Sequence, residues 1–366
     1  MSGPIRAVFW GVGALGRLAA EAAAADARLA IVGAIDHAPE KAGRDLADLT
    51  VGVEHGEIVV APDLDTCLRE LRQPADVLFH MTESSIPVIA PQLHAAVDRG
   101  LNVISAAESM FYPALRHPQV AVSLDEAARA RGVTVTGTGV NPGFIFDTLV
   151  LATASASSQI TSIRLNRVVE VAGTGPGDID HTGFGLSLGD FQEKLEAGQI
   201  VGHMGFAESQ VLVAERLGLP IDRLEEHWEP VTRDHPITSA IGILEPGHVT
   251  GIVQTAVAYR ADRPVISARL AMYYDAAQYE PEVDEITIEG RHTIHLRIKP
   301  SCISILSAAI LMVNTAPALV EAAPGLVNVV DLPVSASLRG YVRLRLDPTI
   351  PTSIGTLQFV GELAQA

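Results

Sequence analysis

The stretch that decides the fold is IRAVFWGVGALGR, residues 5–17. An apolar run predicts a buried strand, glycines in the spacing Gly-x-Gly-x-x-Gly follow it, and an alanine-rich helix comes next. Gly11 permits the tight turn, Gly13 lets a pyrophosphate approach backbone N–H groups, and Gly16 lets the helix pack closely on the strand. The positive end of the helix then faces the phosphates. The stretch therefore predicts a dinucleotide-binding turn.

Asp36 supports this interpretation, because it closes the predicted second strand, Leu29–Ile35, about 20 residues beyond the glycines. A carboxylate at this place accepts hydrogen bonds from the adenosine ribose hydroxyls, which favours NAD. Four polar or basic side chains are close enough in sequence to meet the 2′-phosphate of NADP: Arg17, His37, Lys41 and Arg44. The last two are explained equally well as solvated charges. The first helical turn adds Ala14 and Leu15 to the expected contacts, and the sequence predicts NAD(H) and/or NADP(H) as cofactor.

The first third of the chain alternates short β-branched runs with alanine-rich stretches. The predicted strands are Ile5–Trp10, Leu29–Ile35, Glu57–Val60, Asp76–His80, Asn102–Ser105 and Val133–Thr136. The predicted helices are Ala14–Ala25, Leu64–Leu71, Ile86–Arg99 and Val120–Arg131. A β-α-β alternation of this kind implies a parallel sheet with helices on both faces. The predicted fold class is therefore α/β, with an N-terminal Rossmann domain built on a doubly wound parallel sheet.

The pattern changes after Gly137, where longer strands with period-two alternation begin. The predicted strands there are Ile160–Val171, Gly247–Ala261, Pro264–Tyr274, Glu285–Glu289 and His292–Ile298. Gly290 marks a hairpin turn between the last two, and Ser301–Ala322 predicts a helix that packs back on the first domain. We expect three parts: the Rossmann domain at 1–140, an α+β substrate and dimerisation domain with a largely antiparallel sheet at 141–300, and a C-terminal segment at 301–366.

Composition argues against several classes of function. Of the 366 residues, 48% are hydrophobic and 19% charged, which is enough apolar material for two cores. The formal net charge of -17 repels phosphate backbones and anionic lipids, so nucleic acid and membrane partners are not expected. Cys67 and Cys302 have no metal-ligand spacing and the chain starts without a secretory pattern, so we expect a cytoplasmic protein. The apolar stretch Ile303–Val313 is shorter than the roughly 18–20 residues of a membrane span and is interpreted as a buried helix.

Two strand ends place functional candidates at the carboxyl edge of the predicted sheet, where ligands bind in such folds. His80 and Thr82 follow the fourth strand and are expected to border the ribose and nicotinamide, with capping of the next helix as the alternative. The fifth strand ends in Ser-Ala-Ala-Glu, which brings Ala106 and Glu108 to the nicotinamide end. The apolar residues Met110–Pro113 predict a pocket that raises the pKa of the Glu108 carboxyl toward neutrality, which suits proton transfer. A surface acid at a helix start is the alternative.

The crossover GTGVNPGFIFD, residues 137–147, combines an Asn-Pro-Gly turn with two aromatic residues. Asn141 is expected to hydrogen-bond the nicotinamide amide or the substrate. Phe144 and Phe146 are expected to line the substrate pocket, with hinge or core packing as the alternative. The glycine-dense segment 173–185 predicts a lid that carries His181 to the substrate, with a plain surface loop as the alternative. No metal is expected, because the remaining histidines show no paired ligand spacing.

Four segments together resemble the 2,4-diaminopentanoate dehydrogenase family, a branch of the dihydrodipicolinate-reductase-like proteins that includes the native amine dehydrogenases. They are the GVGALGR start, the SAAE strand end, the GTGVNPGF crossover and the late VNTAP…APGL run. The resemblance covers most of the chain, loosely between 175 and 245, and implies reversible reductive amination of a carbonyl with ammonia. It further implies that Glu108 activates ammonia, shuttles protons and stabilises the iminium, that Asn314 lies near the nicotinamide, and that two copies form a homodimer.

The composition of the presumed pocket bears on the substrate. An α-amino acid needs a carboxylate clamp, usually arginine or lysine, and the segments Ala107–Pro113 and Asn141–Phe146 contain no basic residue. Arg164 and Arg167 lie on the next strand, and one of them is expected at the surface. We predict an NAD(P)H-dependent amine dehydrogenase acting on a small ketone or aldehyde. The alternatives are a 2,4-diaminopentanoate or related amino-acid dehydrogenase, an ammonia-independent carbonyl reductase, and a cofactor-binding protein without catalysis.

Overall fold

The computed structural model describes residues 3–172, 182–239 and 242–334. The strands of its first sheet are β1 (Ile5–Trp10), β2 (Leu29–Ile35), β3 (Val60–Ala61), β4 (Val77–His80), β5 (Asn102–Ser105), β6 (Thr134–Gly137) and β15 (Gly325–Leu326). They pair in parallel in the order β15-β6-β5-β4-β1-β2-β3. The strand order reverses between β1 and β4, the place where doubly wound sheets bind dinucleotides. The predicted Rossmann fold is confirmed.

Helices cover both faces of this sheet. They are α1 (Ala14–Ala24), α2 (Leu64–Glu70), α3 (Ile86–Asp98), α4 (Pro118–Arg131) and, late in the chain, α8 (Ser304–Glu321). Val8 and Leu78 point to the face covered by α2, α3 and α4, whereas Phe9 and Phe79 point to the face covered by α1 and α8. Successive strand residues face opposite sides, so burial of both faces requires strands that are apolar throughout.

The second sheet contains β7 (Ser162–Glu170), β8 (Arg223–Thr232), β11 (Val249–Arg260), β12 (Arg263–Tyr273), β13 (Val283–Glu289) and β14 (Ile294–Ile298). The order is β14-β13-β7-β12-β11-β8, and every neighbouring pair is antiparallel except β7 with β12. The predicted hairpin at Gly290 is confirmed, because β13 and β14 pair on either side of it. The largely antiparallel character expected from the sequence is also confirmed.

The described part of this half is completed by α5 (Thr148–Ala154), α6 (Leu188–Glu196), α7 (Phe206–Leu217) and a small hairpin of β9 (Ile237–Ser239) and β10 (Gly242–Leu244). The sequence pattern did not predict α6, α7 or β8. Strand β8 lies at the sheet edge, and its residues are mostly half-exposed. A glutamate pair and a proline interrupt its sequence, RLEEHWEPVT, so no clean apolar-polar alternation marks it.

Helix α8 packs on the first sheet although the chain has by then passed through the second. Its buried side chains share a core with α1 and include Ala309, Met312, Val313, Ala316 and Leu319. By length and composition alone α8 also qualifies as a membrane span, longer than the stretch Ile303–Val313 considered above. Its buried side packs against α1 and the first sheet. The short strand β15 follows and extends the first sheet beyond β6.

A buried ion pair anchors the start of α8 to the second sheet. Arg167 on β7 lies directly opposite Asp284 on β13, and the two side chains are hydrogen-bonded. Arg167 also donates to the carbonyl of Cys302 at 2.8 Å and to the hydroxyl of Ser304 at 3.2 Å. Asp284 in turn accepts from the Cys302 N–H at 2.8 Å. The pair therefore fixes where α8 leaves the second sheet.

Candidate active site

A cavity of about 430 Å³ lies between the carboxyl edge of the first sheet and the inner face of the second. The turns after β1, β4, β5 and β6 line it with Gly13–Gly16, Met81–Ser84, Ala106–Glu108 and Thr138–Pro142. The opposite wall consists of Arg167, Val169, Val171, Leu270, Met272, Ser304, Ile305 and Ala308, with Phe111, Thr182, Phe184 and His203 at its sides. Four separate strand ends therefore converge on one cavity. It lies at the edge where doubly wound sheets bind their ligands.

The glycine turn is shaped for close backbone contacts. Gly11 has φ +99°, and a Cβ there would lie 2.2 Å from the carbonyl oxygen of Met81. A Cβ on Gly16 would lie 1.9 Å from the carbonyl oxygen of Gly11. Gly13 differs, because it lines the cavity and a Cβ there would meet only open space. Gly11 and Gly16 thus allow the close contacts within the turn, and Gly13 leaves room for a phosphate beside the start of α1.

Asp36 is buried and ties the turn to the second strand. One of its oxygens accepts from the Val12 N–H at 2.8 Å and from Lys41 Nζ at 2.8 Å, and the other accepts from the Ala38 N–H at 3.0 Å. Burial alone would raise the pKa of this carboxyl, but the hydrogen bonds from Lys41, Ala38 and Val12 hold it below its ordinary value. Asp36 is therefore ionised beside a cation. His37, like Arg17 and Arg44, is exposed.

His80 belongs to the framework rather than to the cavity wall. The ring is fully buried, with Nδ1 3.2 Å from the Ser105 hydroxyl and Nε2 2.7 Å from Gln92 Oε1. Burial lowers the pKa of His80 to about 4, so the imidazole is neutral at neutral pH. Thr82, by contrast, lines the cavity while its hydroxyl donates to Gln92 at 2.7 Å. Of the two residues predicted after β4, the structure brings only Thr82 to the site.

Glu108 begins a short 3-10 turn at the end of β5 and lines the cavity next to Phe111. Its Oε2 accepts from the Met204 N–H at 3.0 Å, and its Oε1 lies 3.4 Å from His203 Nε2. The side chain is 24% exposed. No sequence pattern predicted His203, whose only signal was its position between Gly202 and Gly205. A carboxylate held in this way can accept or donate a proton at a ligand in the cavity.

Asn141 is the polar group in the cavity wall that most directly indicates a ligand. The residue is 5% exposed, and neither its amide nitrogen nor its oxygen has a hydrogen-bond partner among the described residues. An unpaired buried polar group costs about 1–3 kcal/mol, so a ligand that offers both a donor and an acceptor is favoured. A nicotinamide carboxamide has both. With the open cradle at Gly13, the residues present therefore fit a nicotinamide dinucleotide.

The two crossover phenylalanines do not line the cavity, which corrects the prediction made for Phe144 and Phe146. Phe146 is fully buried, with its ring centroid 5.6 Å from that of Phe206 on α7, and Phe144 packs against the same core. Their alternate spacing does place both side chains against one core. That core is formed by the second sheet and the helices packed on it. The aromatic rings in the cavity wall are Phe111 and Phe184.

The predicted residue Asn314 lies away from the cavity. Asn314 is buried and accepts from Arg28 at 2.8 Å. Arg28 directly precedes β2, so this contact lies at the amino edge of the parallel sheet, opposite the cavity. Helix α8 reaches the cavity only with its first turns, where Ser304 and Ile305 lie. His181 lies outside the described residues.

The two arginines of β7 behave differently, as expected. Arg164 is exposed and pairs with Glu289 at 2.8 Å, whereas Arg167 is buried and lines the cavity. The charge of Arg167 is compensated by Asp284, so the cavity wall there is polar without a net positive charge. Over the three described ranges, no group of three or more His, Cys, Asp or Glu residues is arranged to hold a metal ion.

The Rossmann sheet, the glycine turn, the unpaired amide and the adjacent carboxylate define an oxidoreductase that uses a nicotinamide dinucleotide. The chain belongs to the 2,4-diaminopentanoate dehydrogenase family, since the C-terminal domain of that family matches residues 144–347. It is 28% identical to 2,4-diaminopentanoate dehydrogenase of Acetoanaerobium sticklandii, over 93% of this chain and 96% of that one. It is 25% identical to an amine dehydrogenase of Streptomyces virginiae, over 91% and 98%.

A solved structure shares the architecture. The amine dehydrogenase from Mycobacterium smegmatis superimposes with a TM-score of 0.81 at 25% sequence identity, covering 91% of this chain and 97% of the other. Both halves of the molecule are therefore present in that enzyme, including the sheet that carries the far wall of the cavity.

Proposed function

We propose that the chain is an amine dehydrogenase that converts a small ketone or aldehyde, ammonia, NAD(P)H and one proton to a primary amine, NAD(P)⁺ and water. The observation that carries the proposal is that the Glu108 carboxylate lines the same cavity as Gly13 and Asn141. The relatives named as amine and 2,4-diaminopentanoate dehydrogenases support the same chemistry.

The residues of this chain would divide the work as follows. Gly13 and the first turn of α1 bind the pyrophosphate, and Asn141 fixes the nicotinamide carboxamide. The nicotinamide, when bound, supplies the hydride. Glu108 takes a proton from the attacking nitrogen and gives one to the departing oxygen, while Phe111 and the aliphatic wall exclude water from the reacting carbon. Holding the carbonyl carbon and ammonia together beside Glu108 supplies much of the rate.

The cavity wall favours a small, largely apolar carbonyl substrate. Val169, Val171, Leu270 and Met272 form the surface that faces the first sheet. Because Asp284 compensates the charge of Arg167, this wall attracts a free carboxylate only weakly. The second candidate function is a dehydrogenase that acts on an amine group of a diamino acid. Higher kcat/KM with carboxylate-bearing ketones than with matched plain ketones would favour it.

The test is oxidation of NADH and of NADPH with a panel of ketones, aldehydes and 2-keto acids, each with and without concentrated ammonium at alkaline pH. Ammonium-dependent oxidation that falls by about 10²-fold or more in E108Q is expected, the usual contribution of a proton-transfer group. Fluorescence binding of NADH by E108Q controls for loss of the cofactor site. Oxidation that is indifferent to ammonium would instead identify a carbonyl reductase.

We infer that two copies form a homodimer through the outer face of the second sheet. Opposite the cavity, Val253, Thr255 and Val257 of β11 and Ser267 of β12 are half-buried and uncharged, and the neighbouring Arg269 on this face is paired with Glu280. Such a patch is suited to a partner surface. Light scattering at micromolar concentration is expected to give twice the chain mass, with V257E shifting it to the monomer. A monomeric wild-type protein would contradict the inference.

We also infer a cytoplasmic location. Cys67 and Cys302 are both free, and burial raises the pKa of the Cys67 thiol to about 11, so it stays protonated and unreactive. Unpaired cysteines fit a reducing compartment. Cell fractionation that recovers the protein in the soluble cytoplasmic fraction is the expected result, and recovery outside the cytoplasm would contradict it.

A further inference from the structure

His203 faces the catalytic carboxylate with a defined ring nitrogen. Its Nδ1 lies 2.9 Å from the carbonyl oxygen of Met204, and a carbonyl can only accept, so Nδ1 carries a proton. The Nε2 atom is thereby turned toward Glu108 Oε1 at 3.4 Å. A neutral ring with Nδ1 protonated has an acceptor at Nε2, and an ionised carboxylate is also an acceptor. Attraction between them therefore requires one proton held by the pair, either on Glu108 or on Nε2.

The loop that carries His203 is built to approach this closely. Gly205 has φ +80°, and a Cβ there would lie 2.5 Å from the Pro142 ring and 3.1 Å from the Glu108 carbonyl oxygen. The Met204 N–H, one residue earlier, donates to Glu108 Oε2 at 3.0 Å. From behind, the His203 N–H donates to Gln254 of β11 at 2.7 Å. Contacts with the crossover, with the turn after β5 and with β11 therefore hold the imidazole against the carboxylate.

We propose that His203 is a positioning residue that shares one proton with Glu108 and so keeps that carboxyl able to act as an acid during amination. The proposal rests on the proposed function for its chemistry and on the geometry above for its site. The two groups titrate together, so the proton belongs to the pair between its two apparent ionisations.

Other charged groups face this pair from the elements around it. Glu83 after β4 and Arg167 of β7 line the same cavity. Glu226 of β8 lies behind the loop, where Gln254 bridges it to the His203 carbonyl with contacts of 3.3 Å on each side. Arg116 in turn pairs with Glu226 at 3.2 Å. With Arg167 paired to Asp284 and Arg116 to Glu226, His203 is the basic side chain that directly contacts Glu108 in the described cavity wall.

The chemistry needs such a proton. Addition of ammonia to the carbonyl, with one proton moved from nitrogen to oxygen, gives a neutral carbinolamine. Loss of its hydroxyl as water breaks the carbon–oxygen bond, takes up one further proton and leaves an iminium ion, to which hydride then adds. The Glu108–His203 pair supplies that proton through the Glu108 oxygen and afterwards regains one from water through His203, whose side chain is 19% exposed.

The first experiment measures kcat and KM for a ketone at several pH values in the wild type, H203N and H203A. H94N is the matched control, since His94 of α3 is half-buried outside the cavity wall, with its Nε2 3.1 Å from the Ser123 hydroxyl. Free ammonia varies with pH, so the quantity compared is the variant to wild-type ratio at each pH. We expect kcat of H203N to fall roughly tenfold near pH 7 and further as pH rises, with KM little changed. Added imidazole is expected to restore H203A in part.

The second experiment needs no turnover. Ring-labelled histidine NMR of the free enzyme follows the titration of His203, and E108Q is expected to lower the pKa of its imidazole, because the neighbouring anion is lost. NADH affinity of H203N should equal that of the wild type. A pH-independent ratio without imidazole rescue, or a His203 titration unaffected by E108Q, would overturn the proposal. If the wild type shows no ammonium-dependent activity while E108Q shifts the titration, the proposed function fails and the shared proton stands.

Discussion

At the scale of single residues, Asn141 shows how an unmet hydrogen-bonding need marks a binding site. The sequence placed it in a turn between domains, and the structure shows a buried amide without partners among the described residues. N141A is expected to raise the Kd of NADH about tenfold, the value of a hydrogen bond or two. Fluorescence titration measures this Kd. N166A is the control, because Asn166 lies on the face of β7 that points away from the cavity. Equal affinity in N141A would remove Asn141 from the cofactor site.

His80 makes the stability of the fold depend on pH. Burial lowers its pKa to about 4 from 6.5, so below about pH 6.5 the unfolded chain takes up a proton that the folded chain refuses. The free energy of unfolding is therefore retained above pH 6.5 and falls by about 3 kcal/mol as pH drops to about 4. Urea unfolding should show a smaller loss between about pH 7 and pH 4.5 in H80Q. Parallel losses in both proteins would contradict this.

Some site residues could be predicted from the sequence and others could not, and the difference has physical reasons. Glycines and carboxylates at strand ends are local signals, and the sheet topology then fixes where Gly13 and Glu108 lie. His203 comes from a loop whose approach depends on β11 and on the crossover, so no local pattern predicts it. The prediction for Phe146 was wrong because residue spacing shows which side chains point in the same direction. It does not show which core they pack against.

At the scale of elements, the start of α8 depends on a buried ion pair. Removing one partner of such a pair leaves an uncompensated charge and typically costs about 3–5 kcal/mol. D284A is expected to lose stability of this size in urea unfolding, whereas R167L/D284L, which leaves no buried charge, should recover most of it. A double variant that is less stable than D284A would show that the hydrogen bonds to Cys302 and Ser304 outweigh the cost of burying the charges.

Long apolar strands were the elements that the sequence predicted well. β1 and β2 agree with prediction to the residue, because strands buried on both faces have continuous apolar runs. The strand predicted at Glu57–Val60 is found as the two-residue strand β3, Val60–Ala61, and the mostly half-exposed edge strand β8 carries little such signal. Helices α6 and α7 lie in the stretch where the family resemblance was loose. The division at residues 140 and 300 stays a prediction.

At the scale of the whole molecule, the cavity has walls from both sheets, so cofactor binding should stabilise the halves together. At NADH concentrations about 100 times Kd, linkage adds about 2.7 kcal/mol to the free energy of unfolding. A single unfolding transition that moves as one unit is expected by fluorescence and by circular dichroism. Two transitions, of which only one responds to NADH, would show that the cavity does not couple the halves.

The return of the chain to its first sheet also bears on how the protein is made. During synthesis on the ribosome the first six strands of that sheet emerge early, while α8 and β15 follow only after the whole second sheet has been translated. Until then Phe9, Phe79 and the apolar face of α1 lack the helix that covers them, and the edge of β6 is unpaired. The nascent chain therefore exposes an apolar surface for much of its translation, and we expect chaperones that act at the ribosome to bind it.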